Sequence, residues 1–255
     1  MWDFHSHILP NIDDGAKDSN ETIKMAKIAV QEGIHTMVAT PHYIPFDHEV
    51  HKDEILESIK KINEALKREN IPIKILPGME VFADWEILKR IDQGQILTIN
   101  DTRYILIELP MHNIPDDIDD LFFEIEVRGL LPILAHPERN RKIQNNQNIV
   151  AKWIEKGVLT QINTGSLMGI LGQASQETAG ILLKHNMVHL LGTDAHTSGR
   201  RSPEIKEAIN TIKEILTLEQ CKLILEEYPK QILANEIVTP GKPVLVRKKK
   251  RFFFF

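Results

Sequence analysis

The chain has 255 residues, 42% of them hydrophobic, which suits one barrel-sized domain with a substantial core. Its formal net charge of -5 and its isoelectric point of about 6.1 give no sign of a nucleic-acid partner. The single cysteine, Cys221, excludes an internal disulfide and any CxxC metal site.

Strands and helices alternate along the predicted fold. Short apolar segments are predicted as strands at Trp2–His5, His35–Thr40, Ile73–Leu76, Met79–Phe82, Tyr104–Leu109, Leu131–Ala135, Thr160–Asn163 and Val188–Leu191. Amphipathic segments are predicted as helices at Asn20–Gly33, His51–Asn70, Trp85–Asp92, Asp116–Arg128, Asn146–Lys156, Gln176–Asn186, Pro203–Leu216 and Leu218–Tyr228, with a last turn or two at Pro229–Asn235. Six or seven such alternations favour an α/β fold in which helices wrap parallel strands.

Potential metal ligands recur where the predicted strands end. The residues in question are His5, His7, Asp14, His42, Glu80, His136, Asp194 and His196. The carboxyl ends of strands are where a β/α barrel collects its active site, so we expect these side chains to converge. Imidazoles and carboxylates together suit zinc, iron or manganese, and clustered ions of this kind activate water and clamp a phosphoryl oxygen.

Two of the ligand motifs have a geometric reason for their spacing. Successive side chains of a strand point to opposite faces, so His5 and His7 project the same way, as do Asp194 and His196. Any one histidine would ordinarily be a surface or core residue. A group of buried imidazoles without a cation would be destabilising, which favours metal binding for the set. The remaining histidines lack a strand-end partner and are interpreted as solvent-facing or structural: His35, His48, His51, His112, His185 and His189.

Arginines next to the ligand motifs are candidates for binding phosphate. Arg139 lies three residues beyond His136, and Arg200 and Arg201 closely follow His196. A guanidinium group binds phosphate through two parallel hydrogen bonds and stabilises the charge of phosphoryl transfer. Glu108 ends another predicted strand; it is either an extra ligand, or a partner of one, or a member of an ion pair at the barrel rim.

These motifs resemble those of the PHP (polymerase and histidinol phosphatase) superfamily. More narrowly, residues 1–235 are similar to the manganese-dependent bacterial protein-tyrosine phosphatases of capsule and exopolysaccharide loci. The resemblance is carried by Asp3-Phe-His-Ser-His-Ile-Leu-Pro-Asn-Ile-Asp-Asp-Gly15, Thr40-Pro-His42, Pro77-Gly-Met-Glu80, Ala135-His-Pro-Glu-Arg139 and Thr193-Asp-Ala-His196.

The resemblance implies a single-domain, distorted (β/α)7 TIM-like barrel that holds three divalent ions, with manganese expected and iron or zinc as alternatives. It assigns the first ion to His5, His7, Glu80 and Asp194. It assigns the second ion to His42, Glu80 and His136, and the third to Asp14 and His196. Arg139 and Arg201 match the arginines that face the phosphate, although Arg200 duplicates the second of these.

The function expected from this resemblance is hydrolysis of phosphotyrosine on a bacterial tyrosine kinase or its substrates, in the control of capsular or exopolysaccharide synthesis. Two alternatives stay open at this point. One is a small-molecule phosphatase of the histidinol-phosphate kind, which would need a different pocket around the same ions. The other is a metal-binding regulatory module without turnover.

The C-terminal segment, residues 241–255, is predicted to be a tail outside the domain formed by residues 1–240. Within it, residues 247–255 combine five cations with four phenylalanines, which suggests either peripheral contact with an anionic membrane or a disordered terminus. The first residues lack the basic and apolar stretches of a secretion signal, and no apolar run approaches the ~20 residues of a membrane span. We therefore expect a cytoplasmic protein that is close to the membrane if the tail binds lipid.

Overall fold

The computed structural model describes residues 1–247, and all strands of its sheets run parallel. The strands are β1 Trp2–Ser6, β2 Thr36–Ala39, β3 His42–Tyr43, β4 Lys74–Pro77, β5 Glu80–Phe82, β6 Tyr104–Glu108, β7 Leu131–Ala135, β8 Leu159–Asn163 and β9 Leu190–Gly192. Helices follow or separate them at α1 Ser19–Gln31, α2 Lys52–Arg68, α3 Glu86–Asp92, α4 Ile118–Val127, α5 Arg141–Asn145, α6 Asn148–Glu155, α7 Thr164–Leu167, α8 Gln173–Lys184, α9 Lys206–Ile215, α10 Leu218–Lys222 and α11 Tyr228–Leu233.

The nine strands occupy seven positions around a distorted barrel. One sheet has the order β1-β2-β4 and the other β3-β5-β6-β7-β8-β9. β2 leads into β3 and β4 leads into β5 after breaks of two residues, so each pair acts as one interrupted strand. The first and last strands approach through the Ser6–Ala195 bridge, in which His7 N–H donates to the Ala195 carbonyl at 2.9 Å. The predicted α/β barrel in a single domain is confirmed.

The core lies on both sides of the strands because parallel strands covered by helices are buried on both faces. One apolar cluster fills the barrel interior at its amino-terminal end and includes Phe4, Val38, Leu106, Ile133 and Leu190. A larger cluster lies between the strands and the surrounding helices. The carboxyl ends of the strands are thereby left for polar side chains.

Several predicted boundaries differ from the structure for physical reasons. β3 was not predicted because it has only two residues, and it is extended by its pairing with β5 rather than by an apolar pattern. The predicted helix Leu218–Tyr228 is α-helical only to Lys222, since Leu223–Glu227 forms a π-helix. α7 was missed because its four residues are too few to show a helical period.

The first part of the predicted C-terminal tail lies against the barrel. Val244 N–H donates to the His185 carbonyl at 2.8 Å, and Val246 exchanges two hydrogen bonds with the Asn148 side chain. Most of the basic and phenylalanine-rich segment predicted to contact a membrane, residues 248–255, lies outside the described residues. Among residues 1–247, no helix is both long enough and apolar enough to cross a bilayer.

Candidate active site

The predicted ligands converge at the carboxyl ends of the strands. His5 lies in β1 and His7 just after it; His42 begins β3, Glu80 begins β5, and Glu108 ends β6. His136 follows β7, and Asp194 and His196 follow β9. All of these except His42 are buried, and Asp14, on the loop after β1, is exposed.

One group of ligand atoms surrounds the Nε2 atoms of His5 and His7. Glu80 Oε2 lies 3.1 Å from His5 Nε2 and 3.4 Å from His7 Nε2. Asp194 Oδ1 lies 3.7 Å and 3.4 Å from the same two nitrogens. These are the four residues that the family resemblance assigns to one ion.

A second group surrounds the other side of Glu80. Its Oε1 lies 2.8 Å from His136 Nε2, and its Oε2 lies 3.0 Å from His42 Nδ1. Glu108 adds a carboxylate 3.5 Å from His136 Nε2 and 3.8 Å from His42 Nδ1. Glu80 therefore lies between the first two groups, and Glu108 points into the site instead of forming an ion pair at the rim.

A third group lies nearer to solvent. Asp14 Oδ1 is 3.3 Å from His196 Nε2 and 3.6 Å from His42 Nε2. Ligand atoms of His7, Asp14, His42 and His196 all lie within 4.8 Å of one another. The structure thus places His7 and His42 beside the pair Asp14 and His196.

The hydrogen bonds of the rings test whether this cluster fits cations. The Nδ1 atom of His5 donates to Gln161 Oε1 at 2.8 Å, and that of His7 donates to Asp13 Oδ2 at 2.6 Å. In the neutral rings both Nε2 atoms then carry lone pairs, yet they face each other at 3.2 Å. Two acceptors at that distance require a cation or a proton between them.

Two buried atoms in the second group support the same conclusion. His42 Nδ1 and Glu80 Oε2 are buried and have no hydrogen-bond partner, although they lie 3.0 Å apart. A buried polar atom left without a partner costs about 1–3 kcal/mol. A divalent cation would satisfy both atoms, so the residues present fit a metal centre.

The charges of the carboxylates follow from their surroundings. Burial raises the pKa of Glu80, but the charge of His5 and the adjacent rings of His136 and His42 outweigh it and hold that pKa well below its usual range. The pKa of Asp194 is likewise low, because His5, His7 and Arg201 outweigh its burial. Burial and the neighbouring Glu80 charge raise the pKa of Glu108 to about 7.

Asp194 also binds the two candidate arginines. Arg139 Nη1 donates to Asp194 Oδ2 at 2.9 Å, and Arg201 Nη2 lies 2.8 Å from Asp194 Oδ1. Arg200 is exposed, and its guanidinium group lies 3.5 Å from the Ile170 carbonyl. Of the two arginines after His196, only Arg201 therefore faces the cluster.

Sequence reasoning missed the residues that orient the ligands. Asp13 holds His7, while Gln161 holds His5 and donates to Asn163 Oδ1 at 2.9 Å. Asn163 in turn donates to Asp194 Oδ2 at 2.7 Å. Gln161 and Asn163 are two residues apart and therefore lie on the same face of β8. Two polar side chains on one face of a buried strand were the signal that could have identified them.

The backbone is unusual at two of the predicted ligands. His136 has φ of 30° and Asp194 has φ of 51°, both in the left-handed region. Such conformations cluster at functional sites and persist when the surroundings impose them. Two glycines allow close packing nearby: a Cβ at Gly15 would lie 2.0 Å from the His7 carbonyl oxygen, and one at Gly192 would lie 2.5 Å from His5 Cβ.

Comparison with known proteins assigns the chain to a family. Residues 1–234 match the family model described as capsular polysaccharide synthesis, CpsB/CapC. The chain belongs to the CpsB/CapC family. Among the relatives, the tyrosine-protein phosphatase YwqE of Bacillus subtilis is 37% identical over 100% of both chains. The putative tyrosine-protein phosphatase CapC of Staphylococcus aureus is 33% identical over 99% of both.

Solved structures agree with this membership. A chain from the crystal structures of YwqE from Bacillus subtilis and CpsB from Streptococcus pneumoniae, described as unique metal-dependent tyrosine phosphatases, superposes with a TM-score of 0.93. It is 35% identical, and the match covers 97% of this chain and 100% of that one. The phosphotriesterase from Mycobacterium tuberculosis, 11% identical over 92% of this chain and 94% of its own, has a TM-score of 0.57 and shares the fold alone.

Proposed function

We propose that this CpsB/CapC family member is a metal-dependent protein-tyrosine phosphatase that hydrolyses phosphotyrosine on a bacterial tyrosine kinase or its substrates and so regulates capsular or exopolysaccharide synthesis. One observation carries the proposal. Imidazoles and carboxylates from both ends of the chain converge with two arginines at one end of the barrel. Relatives that cover the whole chain are named tyrosine-protein phosphatases.

The ligand set supports three divalent ions, of which manganese is the expected species. Glu80 and Asp194 are held ionised, and burial lowers the pKa of His136, so its ring stays neutral as a ligand must be. Bound cations of this kind supply a Lewis acid for phosphoryl oxygens and a water of lowered pKa.

The residues of the chain position the substrate for attack by water. Arg139 and Arg201 are ordered by Asp194, so their remaining N–H groups can bind the equatorial phosphoryl oxygens without further loss of freedom. A hydrogen bond with His196 holds the pKa of Asp14 below its usual range, which leaves that carboxylate ionised and unsuited to donate a proton. The leaving phenolate has a pKa near 10, so it needs less protonation than an alkoxide would.

Phosphate release from a phosphotyrosyl peptide tests the proposal, with histidinol phosphate as the competing substrate. Protein stripped with EDTA should be inactive and should recover with manganese. His136→Ala and Asp194→Ala should remove activity while the circular dichroism of the barrel persists. Faster turnover of histidinol phosphate would identify a small-molecule phosphatase, and metal binding without turnover of either substrate would identify a regulatory module.

The proposal extends to the setting of the enzyme. We expect the protein in the cytoplasm, with the basic and phenylalanine-rich residues 247–255 holding it at an anionic membrane near its kinase. Cosedimentation with vesicles that contain anionic lipid should weaken with salt and should be lost when residues 247–255 are deleted. Binding that ignores salt, or none at all, would remove this part of the proposal.

A further inference from the structure

Phe46 is a large apolar side chain exposed on a loop at the carboxyl end of the strands, the end that carries the predicted ligands. It follows the ligand His42 by four residues, on the loop between β3 and α2, and is 79% exposed. Its φ of 66° lies in the left-handed region, where a bulky residue is an outlier. Such a conformation costs about 1–3 kcal/mol and is kept only where neighbouring contacts impose it.

Contacts that fix this loop are present. Phe46 N–H donates to Glu49 Oε1 at 2.9 Å, and the Glu49 carboxylate accepts from Arg90 of α3, whose Nη2 lies 3.1 Å from Glu49 Oε2. Ile44 and His48 close the loop with an antiparallel bridge, in which the two backbone N–H···O distances are 2.8 and 2.9 Å. These contacts hold the backbone of the loop in the conformation that exposes Phe46.

A second exposed aromatic side chain lies on the neighbouring loop. Trp85 precedes α3, is 44% exposed, and donates its indole N–H to the Asp117 carboxylate on the loop after β6. β3 and β5 are adjacent strands, and the Arg90–Glu49 pair joins α3 to the Phe46 loop. We call Phe46 and Trp85 the aromatic rim.

The aromatic rim and the arginines come from different parts of the barrel. Phe46 and Trp85 follow β3 and β5, whereas Arg139 and Arg201 follow β7 and β9. A phosphate bound between the ligand cluster and the arginines would leave the group esterified to it projecting from the site. The loops after β3 and β5, which carry the aromatic rim, are then available to contact that group.

We propose that Phe46, with Trp85 on the loop after the adjacent strand, contacts the phenyl ring of phosphotyrosine and thereby selects aromatic over aliphatic phosphate esters. This inference rests on the proposed phosphatase function. Aromatic pairs contribute about 0.5–1.5 kcal/mol beyond the area they bury, which corresponds to a two- to twelvefold effect on binding. If Phe46 contacted no substrate, its removal would leave substrate binding unchanged.

The test compares Phe46→Ala and Trp85→Ala with Phe123→Ala, which removes a 62% exposed phenylalanine from α4 on the outside of the barrel. Phe46→Ala should raise KM for a phosphotyrosyl peptide about three- to tenfold, with kcat within about twofold. Phe46→Trp should restore KM. Inhibition by inorganic phosphate, which has no ring, should be unchanged, and Phe123→Ala should behave as the wild type.

The outcomes separate this inference from the function on which it rests. If the manganese-loaded wild type neither binds nor hydrolyses the peptide, both fail. If it hydrolyses the peptide and Phe46→Ala keeps the wild-type KM, only the aromatic contact is refuted. A parallel rise in KM and in the inhibition constant of phosphate would also refute it, because the loop would then be acting on the phosphate site itself.

Discussion

Replacing Asp13 by alanine should weaken metal binding, although Asp13 is not itself a predicted ligand. Its side chain accepts three hydrogen bonds: from His7 Nδ1 at 2.6 Å, from His42 N–H at 3.1 Å and from Gly15 N–H at 3.0 Å. Without it the His7 ring loses the bond that turns Nε2 toward the site. Losing an orienting partner of a metal ligand typically costs about 10–100-fold in metal affinity.

The same substitution should lower the stability of the metal-free protein. Two backbone N–H groups lose their acceptor, at about 1–3 kcal/mol each, and partial access of water reduces the sum to about 2–4 kcal/mol of unfolding free energy. Asp13→Asn should cost less, since its amide oxygen can still accept from His7 and His42 if the amide is oriented that way.

Calorimetric titration with manganese and urea unfolding in EDTA measure these two effects separately. We expect Asp13→Ala to show both and Asp13→Asn to show a smaller loss of affinity. If Asp13→Ala kept the wild-type affinity for manganese and lost stability, Asp13 would serve only to hold the backbone through its hydrogen bonds with Gly15 and His42. The orienting role would then be refuted.

Further predictions concern the arginines, the packing, the metal and the pH. Arg201→Ala should lower kcat/KM about 100-fold, as loss of an anion-binding donor does elsewhere, whereas Arg200→Ala should stay within about threefold; equal losses would contradict the geometry. Gly192→Ala should displace His5, whose Cβ would lie 2.5 Å from the new methyl group, and reduce the number of bound metal ions counted by atomic emission; an unchanged count would contradict this. Chelation should lower the melting temperature by about 5–10 °C if manganese is present at about 100 times its Kd, and a thermal shift assay that shows no change would argue against a structural contribution of the metal. Burial lowers the pKa of His189 to about 3, so the folded protein binds fewer protons than the unfolded chain below about pH 6.5 and loses stability as the pH falls. The loss between pH 7 and pH 5 should be about 2 kcal/mol more in the wild type than in His189→Leu, and urea unfolding with identical pH dependence in both proteins would contradict the assignment.

The parallel α/β architecture and the converging ligands could be predicted because they leave strong local signals. Apolar runs that end in histidine or aspartate mark both the strand and the edge at which it contributes to the site. His5, His7 and Asp194 were found in this way, and they lie with Glu80 within one group of contacts.

The supporting residues could not be found in the same way because their roles depend on distant contacts. Asp13 and Asp14 are neighbours in the sequence, yet the first is turned inward to His7 and the second outward to His196. No local pattern separates them. Glu108 remained ambiguous for a related reason: only its position opposite His42 and His136 shows that it points inward.

Closure of the barrel by its first and last strands has a consequence for biosynthesis. His5 and His7 are translated 189 residues before Asp194 and His196. A nascent chain therefore cannot assemble the full cation cage, and contacts so remote in sequence form slowly. Metal capture should coincide with the last step of folding, so that an incomplete or truncated polypeptide remains inactive toward the phosphorylated proteins around it.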